Sequence, residues 1–313
     1  MQGLEISEKF FEEYGRPMLE AEFRDVLPLL AAGLMGSGSE CFGFDDEVSR
    51  DHDFEPGFCL FIPGEDKLDR RTAFLLERAY QKLPMEYMGL RRSLVSPVGG
   101  SRHGVIAIND FLEEKLGTSN ADLDVIQWLT IPEQSLLEAT NGKIFFDNSG
   151  SITEAREKLR FFPEDVFLKK LASSLLLMAQ SGQYNYRRCI SHGETGAAQL
   201  ALFDFCESAS HVIFLLNGRY MPYYKWRFRA MRSLPKFSEE ADLLEYLITT
   251  GNGGDSVSDK EAVIDTIVSD VIDCLMDRSL TDAICQDLEK HAYSVNDRIR
   301  DGELRNMHIL AAI

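Results

Sequence analysis

Basic residues are scarce in this 313-residue chain: Lys and Arg number 33 against 51 Asp and Glu, for a net charge of −18. A field of that sign repels phosphate backbones at long range, which disfavours a general nucleic-acid binder and leaves room only for a local basic groove. Cysteines at ligand spacing are also missing. The six, at positions 41, 59, 189, 206, 274 and 285, lie far apart with no CxxC or Cys/His pattern. That argues against zinc and for reduced core thiols in a cytoplasmic protein. Long apolar runs are absent as well: LPLLAAGLMG (27–36) and LASSLLLMAQ (171–180) fall short of the ~20 residues a membrane span requires, so no membrane partner is expected. The opening stretch MQGLEISEKFFEEYGRPM carries acids where a secretion signal carries bases. No internal repeat is present, and no GxSxG elbow turns Ser37 or Ser39 into a hydrolase nucleophile.

What is there is an ordinary globular composition, 44% hydrophobic and 27% charged, which predicts a folded, soluble protein. At about 150 residues per domain the length suggests two domains. Residues 4–32 read as amphipathic helix, in two segments interrupted by Pro17 and Pro28. CLFIP (59–63), GVIAIN (104–109) and KIFFD (143–147) read as strands, with a helix from Leu68 to Leu83. From Ile152 onward, 3.6-period segments (153–181, 194–217, 238–250, 259–277 and 280–300) follow one another without strand signals, the first broken by Pro163 and a flexible connection falling at 249–259. The expected fold class is α+β: a small mixed-sheet domain over 1–148 with an N-terminal helical segment, then an all-helical domain over 149–313.

One short segment concentrates chemistry. Between Glu40 and Glu55 seven acids face a single base, Arg50. A solvated acidic loop would explain the charge alone. The arrangement adds more, because Asp51 and Asp53 stand one residue apart just before an apolar strand, where alternate side chains share a face. Two like charges so placed call for a cation, and Mg²⁺ prefers carboxylate oxygens combined with phosphate oxygens. His52 should point to the opposite face, toward packing or a loop hydrogen bond. Upstream, Gly36-Ser37-Gly38-Ser39 follows the apolar LLAAGLM, and glycines let backbone N–H groups converge on an anion.

The order of Gly36-Ser37, then Ser49-Arg50-Asp51-His52-Asp53, resembles the signature of the polymerase-beta-like nucleotidyltransferase superfamily, in which a Gly-Ser turn precedes an Asp-x-Asp strand. GSGSECFGFDDEVSRDHD, NGKIFFDNSGSITEAREKLRFFPEDV and LLNGRYMPYYKW resemble a bacterial group of uncharacterised function within that superfamily, over most of the chain. The resemblance implies a mixed sheet with helices followed by a helical domain, and two-metal nucleotidyl transfer. It implies no particular substrate. Members of the wider superfamily usually place a third carboxylate on a later strand, and GVIAIN has none inside it. Asp110, beyond that strand, reads better as the N-cap of FLEEKLG. Asp147, ending KIFFD, reads equally as a metal ligand and as a strand end.

A second constellation, Arg219 to Arg229, lies in a window (216–236) with six bases and no acid. Tyr224 and Lys225 suit a nucleotide, the ring stacking a base and the ammonium pairing phosphate, in a cleft facing Asp51 and Asp53; packing aromatics with solvated bases are the other reading. His192 with Glu194 reads better as a helix start than as a metal pair. Together these readings predict a Mg-dependent nucleotidyltransferase. Gly36 and Ser37 hold the triphosphate, Asp51 and Asp53 hold the metals with Asp147 as candidate third acid, and Arg50, Tyr224 and Lys225 contact the nucleotide. The acceptor is a small molecule or protein group, an RNA end suiting the net charge less. The alternative is a non-catalytic nucleotide-binding module with an incomplete carboxylate triad.

Overall fold

A computed structural model describes residues 2–47, 55–92 and 103–312. The fold is α+β, and the chain divides into two units. The first runs to Leu123 and adds Ser135–Arg160; the second comprises Asp124–Gln134 and the chain from Phe161 onward.

The first unit opens with α1 (Gly3–Phe10), a π-helical turn (Phe11–Gly15) and α2 (Arg16–Glu22). The expected break at Pro17 is absorbed by that turn, whose extra residue lets Phe10 and Phe11 both face inward, each fully buried. Phe11 stacks on Phe146 (centroids 5.4 Å apart) and meets Phe58 edge-on at 5.1 Å. The helix expected over 4–32 stops at Glu22. After a 3-10 turn (Leu27–Leu29), Ala31–Leu34 form strand β1 instead. All four of its residues are buried, and a strand covered on both faces shows the same unbroken apolar run as a buried helix. Gly33 permits the placement: a Cβ there would stand 2.6 Å from the Lys143 carbonyl oxygen.

The remaining elements of this unit are α3 (Ser39–Phe42), β2 (Cys59–Ile62), α4 (Arg70–Gln81), a small hairpin of β3 (Glu86–Tyr87) and β4 (Leu90–Arg91), β5 (Gly104–Ala107) and α5 (Ile108–Leu116). Then come α6 (Val125–Thr130), which belongs to the second unit, α7 (Glu133–Thr140), divided after Gln134, β6 (Lys143–Asp147) and α8 (Ser151–Lys158). The sheet order is β5-β2-β1-β6, with β1 antiparallel to both neighbours and β2 parallel to β5. Asp69 starts α4 by accepting the amides of Arg71 and Thr72. Tyr80 on that helix donates to the Phe58 carbonyl (2.8 Å) and accepts its amide (3.1 Å), tying α4 to the chain entering β2. β5 is shorter than expected: Ile108 and Asn109 already belong to α5, so Asp110 sits in its first turn and Ala107, not Asp110, occupies the cap position.

The second unit is helical throughout its described residues: α6, then α9 (Glu164–Met178), continuing through a π-helical stretch (Ala179–Tyr186) into α10 (Arg187–Ser191), and α11 (Thr195–Leu216), α12 (Tyr224–Met231), α13 (Glu240–Thr249), α14 (Ser256–Asp277), α15 (Leu288–Asp297) and α16 (Gly302–Asn306). α11 is long and apolar enough to cross a membrane, but most of its apolar window is buried inside the unit, as in a core helix. The helix expected over 280–300 begins only at Leu288. His291 holds the preceding segment in place, with Nδ1 against Thr281 Oγ1 (3.0 Å) and Nε2 against the Cys285 carbonyl (2.7 Å). The division falls after Arg160 rather than after residue 148, because α8 packs back on β6: Ile152 and Ala155 are buried, and Arg156 donates to the Thr140 carbonyl at 2.6 Å.

Candidate functional site

β1 ends at Leu34 and leads through Gly36, Ser37 and Gly38 into α3. Gly36 and Gly38 have φ of +108° and +127°, a region closed to side-chain-bearing residues except at a cost in strain. The turn is clasped from outside. The Gly36 amide donates to Asn141 Oδ1 (2.9 Å), and Asn141 Nδ2 donates back to the Gly36 carbonyl (2.8 Å). Gly142 then donates to the Cys41 carbonyl (3.0 Å), and the Leu34 carbonyl occupies the place a Gly142 side chain would take. With its N–H donated to Asn141, Gly36 is held in the conformation that shapes the turn. Ser37, half-buried, forms the middle of the turn.

Lys115 on α5 supplies a cation here. Its ammonium lies 3.8 Å from where a Cβ on Gly36 would stand, paired with Glu138 at 3.1 Å and Glu114 at 3.2 Å. Burial pulls its pKa down, but the two carboxylates outweigh burial and hold it above its ordinary value. The Glu40 carboxylate folds back over Gly38, filling the space a side chain would need there.

Asp51 and Asp53, with Arg50 and His52, lie outside the described residues. β2 starts with Cys59 opposite Gly33, at the end of the sheet where β1 runs out toward the Gly36 turn. Of the acids in the same stretch, Asp45 accepts the Gly3 amide through Oδ2 (2.8 Å), while its Oδ1 is buried with no hydrogen-bond partner. An orphaned carboxylate oxygen of this kind suits a hard cation. Among the described residues, no group of three His, Cys, Asp or Glu side chains is placed to hold a metal.

Asp147 is not brought to the turn. It pairs with Ala31, at the start of β1 and the opposite end from Gly36. Its carboxylate accepts Ser149 Oγ (3.0 Å) and the Thr153 amide (2.9 Å), so its work is to close the turn into α8. Cys59 in β2 is no nucleophile, since burial pushes its thiol up to about 12.

In the second unit, Tyr224 and Lys225 open α12. Both are exposed; the Tyr224 ring lies 4.2 Å from that of Tyr223, and the Lys225 ammonium stands 5.0 Å from the Trp226 ring centroid. The partners expected to face them, Asp51 and Asp53, are not among the described residues. Sequence reasoning passed over Asn141 and Lys115. Asn141-Gly142 before KIFFD carried a turn signal, whereas nothing in the local pattern of α5 marks Lys115 as a neighbour of Gly36.

A family model described as a domain of unknown function, DUF4037, matches residues 128–227, a stretch that holds Tyr224 and Lys225 and excludes the Gly36 turn. No curated protein matches the chain. Among solved structures, a nucleotidyltransferase-like protein from Exiguobacterium sibiricum 255-15 is similar, at 13% identity over 92% of this chain and 80% of that one, with a TM-score of 0.36.

Proposed function

We propose that this chain is a magnesium-dependent nucleotidyltransferase that moves a nucleoside monophosphate from a nucleoside triphosphate, such as ATP, onto a hydroxyl or amine. The observation that carries the reading is the Gly36-Ser37-Gly38 turn: positive-φ glycines after a buried central strand, braced by Asn141, with the Lys115 ammonium beside it. Such a turn lets backbone approach a polyphosphate that a Cβ would hold off. Asp51 and Asp53 are the residues that would hold Mg²⁺, and bound there it would supply charge neutralisation for in-line displacement at the α-phosphorus. Lys115 fixes phosphate charge at the turn, and Arg50 is a further phosphate partner by its charge. The acceptor is a small molecule or a protein side chain in the cytoplasm, because a net charge of −18 opposes the approach of an RNA end.

The test is incubation with each radiolabelled nucleoside triphosphate, Mg²⁺ and a metabolite pool, following released pyrophosphate and transferred label. Asp51→Asn combined with Asp53→Asn should abolish the signal; full activity in a folded double variant ends this reading. A second reading, a nucleotide-binding regulatory module without turnover, is favoured by one observation: β5 carries no acid and Asp147 is committed elsewhere. Mg²⁺-dependent triphosphate binding with no pyrophosphate release from any acceptor pool would select it.

A further inference from the structure

The helical unit contains a cavity of about 750 Å³ whose lining residues all belong to that unit. This is within the size range of small-molecule sites. Its character is set by which polar groups are already satisfied. Glu133, a half-buried acid of the wall, has both oxygens engaged, Oε1 by His211 Nε2 and Oε2 by the Met221 amide (3.0 Å). His211 Nδ1 in turn meets Ser174 Oγ at 2.9 Å, and that hydroxyl donates to the Lys170 carbonyl, also at 2.9 Å. Ser174 is buried, its hydroxyl within hydrogen-bond reach of both the His211 ring and a carbonyl of its own helix, so the Ser-His-Glu sequence ties three helices together beside the cavity.

The groups left over are donors. Arg227 spends its two terminal nitrogens on Glu207, whose side chain is more than half exposed, while its Nε–H is buried with no partner. The Lys170 ammonium, which also feels the Glu133 charge, has long hydrogen bonds to the carbonyls of Leu129 (3.3 Å) and Ala312 (3.5 Å), above the Phe162 ring. Across the mouth, Tyr223 and Tyr224 present rings 43% and 65% exposed. A cavity lined by a loosely bonded ammonium and by a guanidinium whose carboxylate partner is exposed, and flanked by exposed aromatic faces, suits a planar ring bearing an anionic group.

We propose that this cavity is a metal-independent binding site for a nucleoside monophosphate, with the ring on the Tyr223–Tyr224 pair and the phosphate on Arg227 and Lys170. The site goes beyond the transfer reading and does not depend on it, since neither Asp51 nor Asp53 takes part. The test uses the full chain in EDTA, titrated by calorimetry with AMP, GMP, CMP and UMP, with the matching nucleosides and with inorganic phosphate. At least one monophosphate should bind saturably, its nucleoside and inorganic phosphate at least ~10-fold more weakly. Tyr224→Ala and Arg227→Gln should each weaken that monophosphate about 10-fold or more, as expected for loss of one stacked ring or one charged partner. Tyr224 is exposed, so that variant folds even where Arg227→Gln does not. Absence of EDTA-resistant binding by all four monophosphates overturns the proposal, as does binding that Tyr224→Ala leaves unchanged. Neither result bears on pyrophosphate release at the first unit, which fails or succeeds separately.

Discussion

Two residues show how much a single side chain decides here. Asn141 makes both halves of the clasp on Gly36, at 2.8 and 2.9 Å. Asn141→Ala should lose about 1–3 kcal/mol of stability, two net hydrogen bonds, by denaturant unfolding. Gly36→Val forces a β-branched residue to φ +108°, so it should cost roughly 1–3 kcal/mol and abolish triphosphate binding measured by calorimetry. Glu133 is the other case. Burial raises its pKa, but the charge and hydrogen bond of His211, the Met221 amide and Lys170 together outweigh burial and hold the carboxyl below its ordinary value. The unfolded state therefore binds the proton more readily, so this contribution is present above the ordinary carboxylate range and is lost as pH falls through the folded value. Glu133→Gln should destabilise the protein by ~3 kcal/mol at neutral pH, as breaking a buried pair does. The gap between variant and wild type should narrow in acid unfolding curves. A gap that stays constant from neutral pH into acid would show that the carboxylate charge is not what Glu133 contributes.

At the scale of elements, legibility followed the pattern available. β2 and β6 are readable as β-branched or aromatic runs bounded by turn residues, and α4 is marked by its Asp69 cap. β1 is not readable, because Ala-Ala-Gly-Leu favours helix locally and becomes a strand only through its neighbours on both sides. Gly33 makes that pairing sterically possible. Gly33→Ala should push β1 away from the Lys143 carbonyl and cost roughly 1–3 kcal/mol, with hydrogen exchange rising first at the β1–β6 amides; equal protection in variant and wild type would mean that the strands simply shift to accommodate the methyl. The π-helical turn before α2 is likewise a tertiary outcome: it lets Gly15 pass the Phe58 ring, which approaches within 2.6 Å of a would-be Cβ.

On the scale of the whole chain, the second unit takes in Asp124–Gln134, a segment earlier in sequence than the boundary expected from the pattern change. A fragment of residues 149–313 lacks Glu133, the partner of His211, and Trp128, whose ring meets Phe162 edge-on at 5.9 Å. That fragment should unfold at lower urea than one spanning 124–313, and with a shallower transition, followed by far-UV circular dichroism. Coincident curves would show that the segment is dispensable to the helical unit.

The sequence by itself determined the class of the fold, the helical character of the second half, the Gly36-Ser37 turn and the acidic stretch before β2. Each of these is a local matter: periodicity, a glycine's access to positive φ, charge density along the chain. Only the tertiary structure decided what surrounds those features. It brought Lys115 and Asn141 to the turn from 79 and 105 residues away, sent Asp147 to the far end of β1, and joined Glu133, His211 and Ser174 across three helices. Side chains so far apart in sequence meet through strand register and helix packing, and neither is written in any local window of the chain.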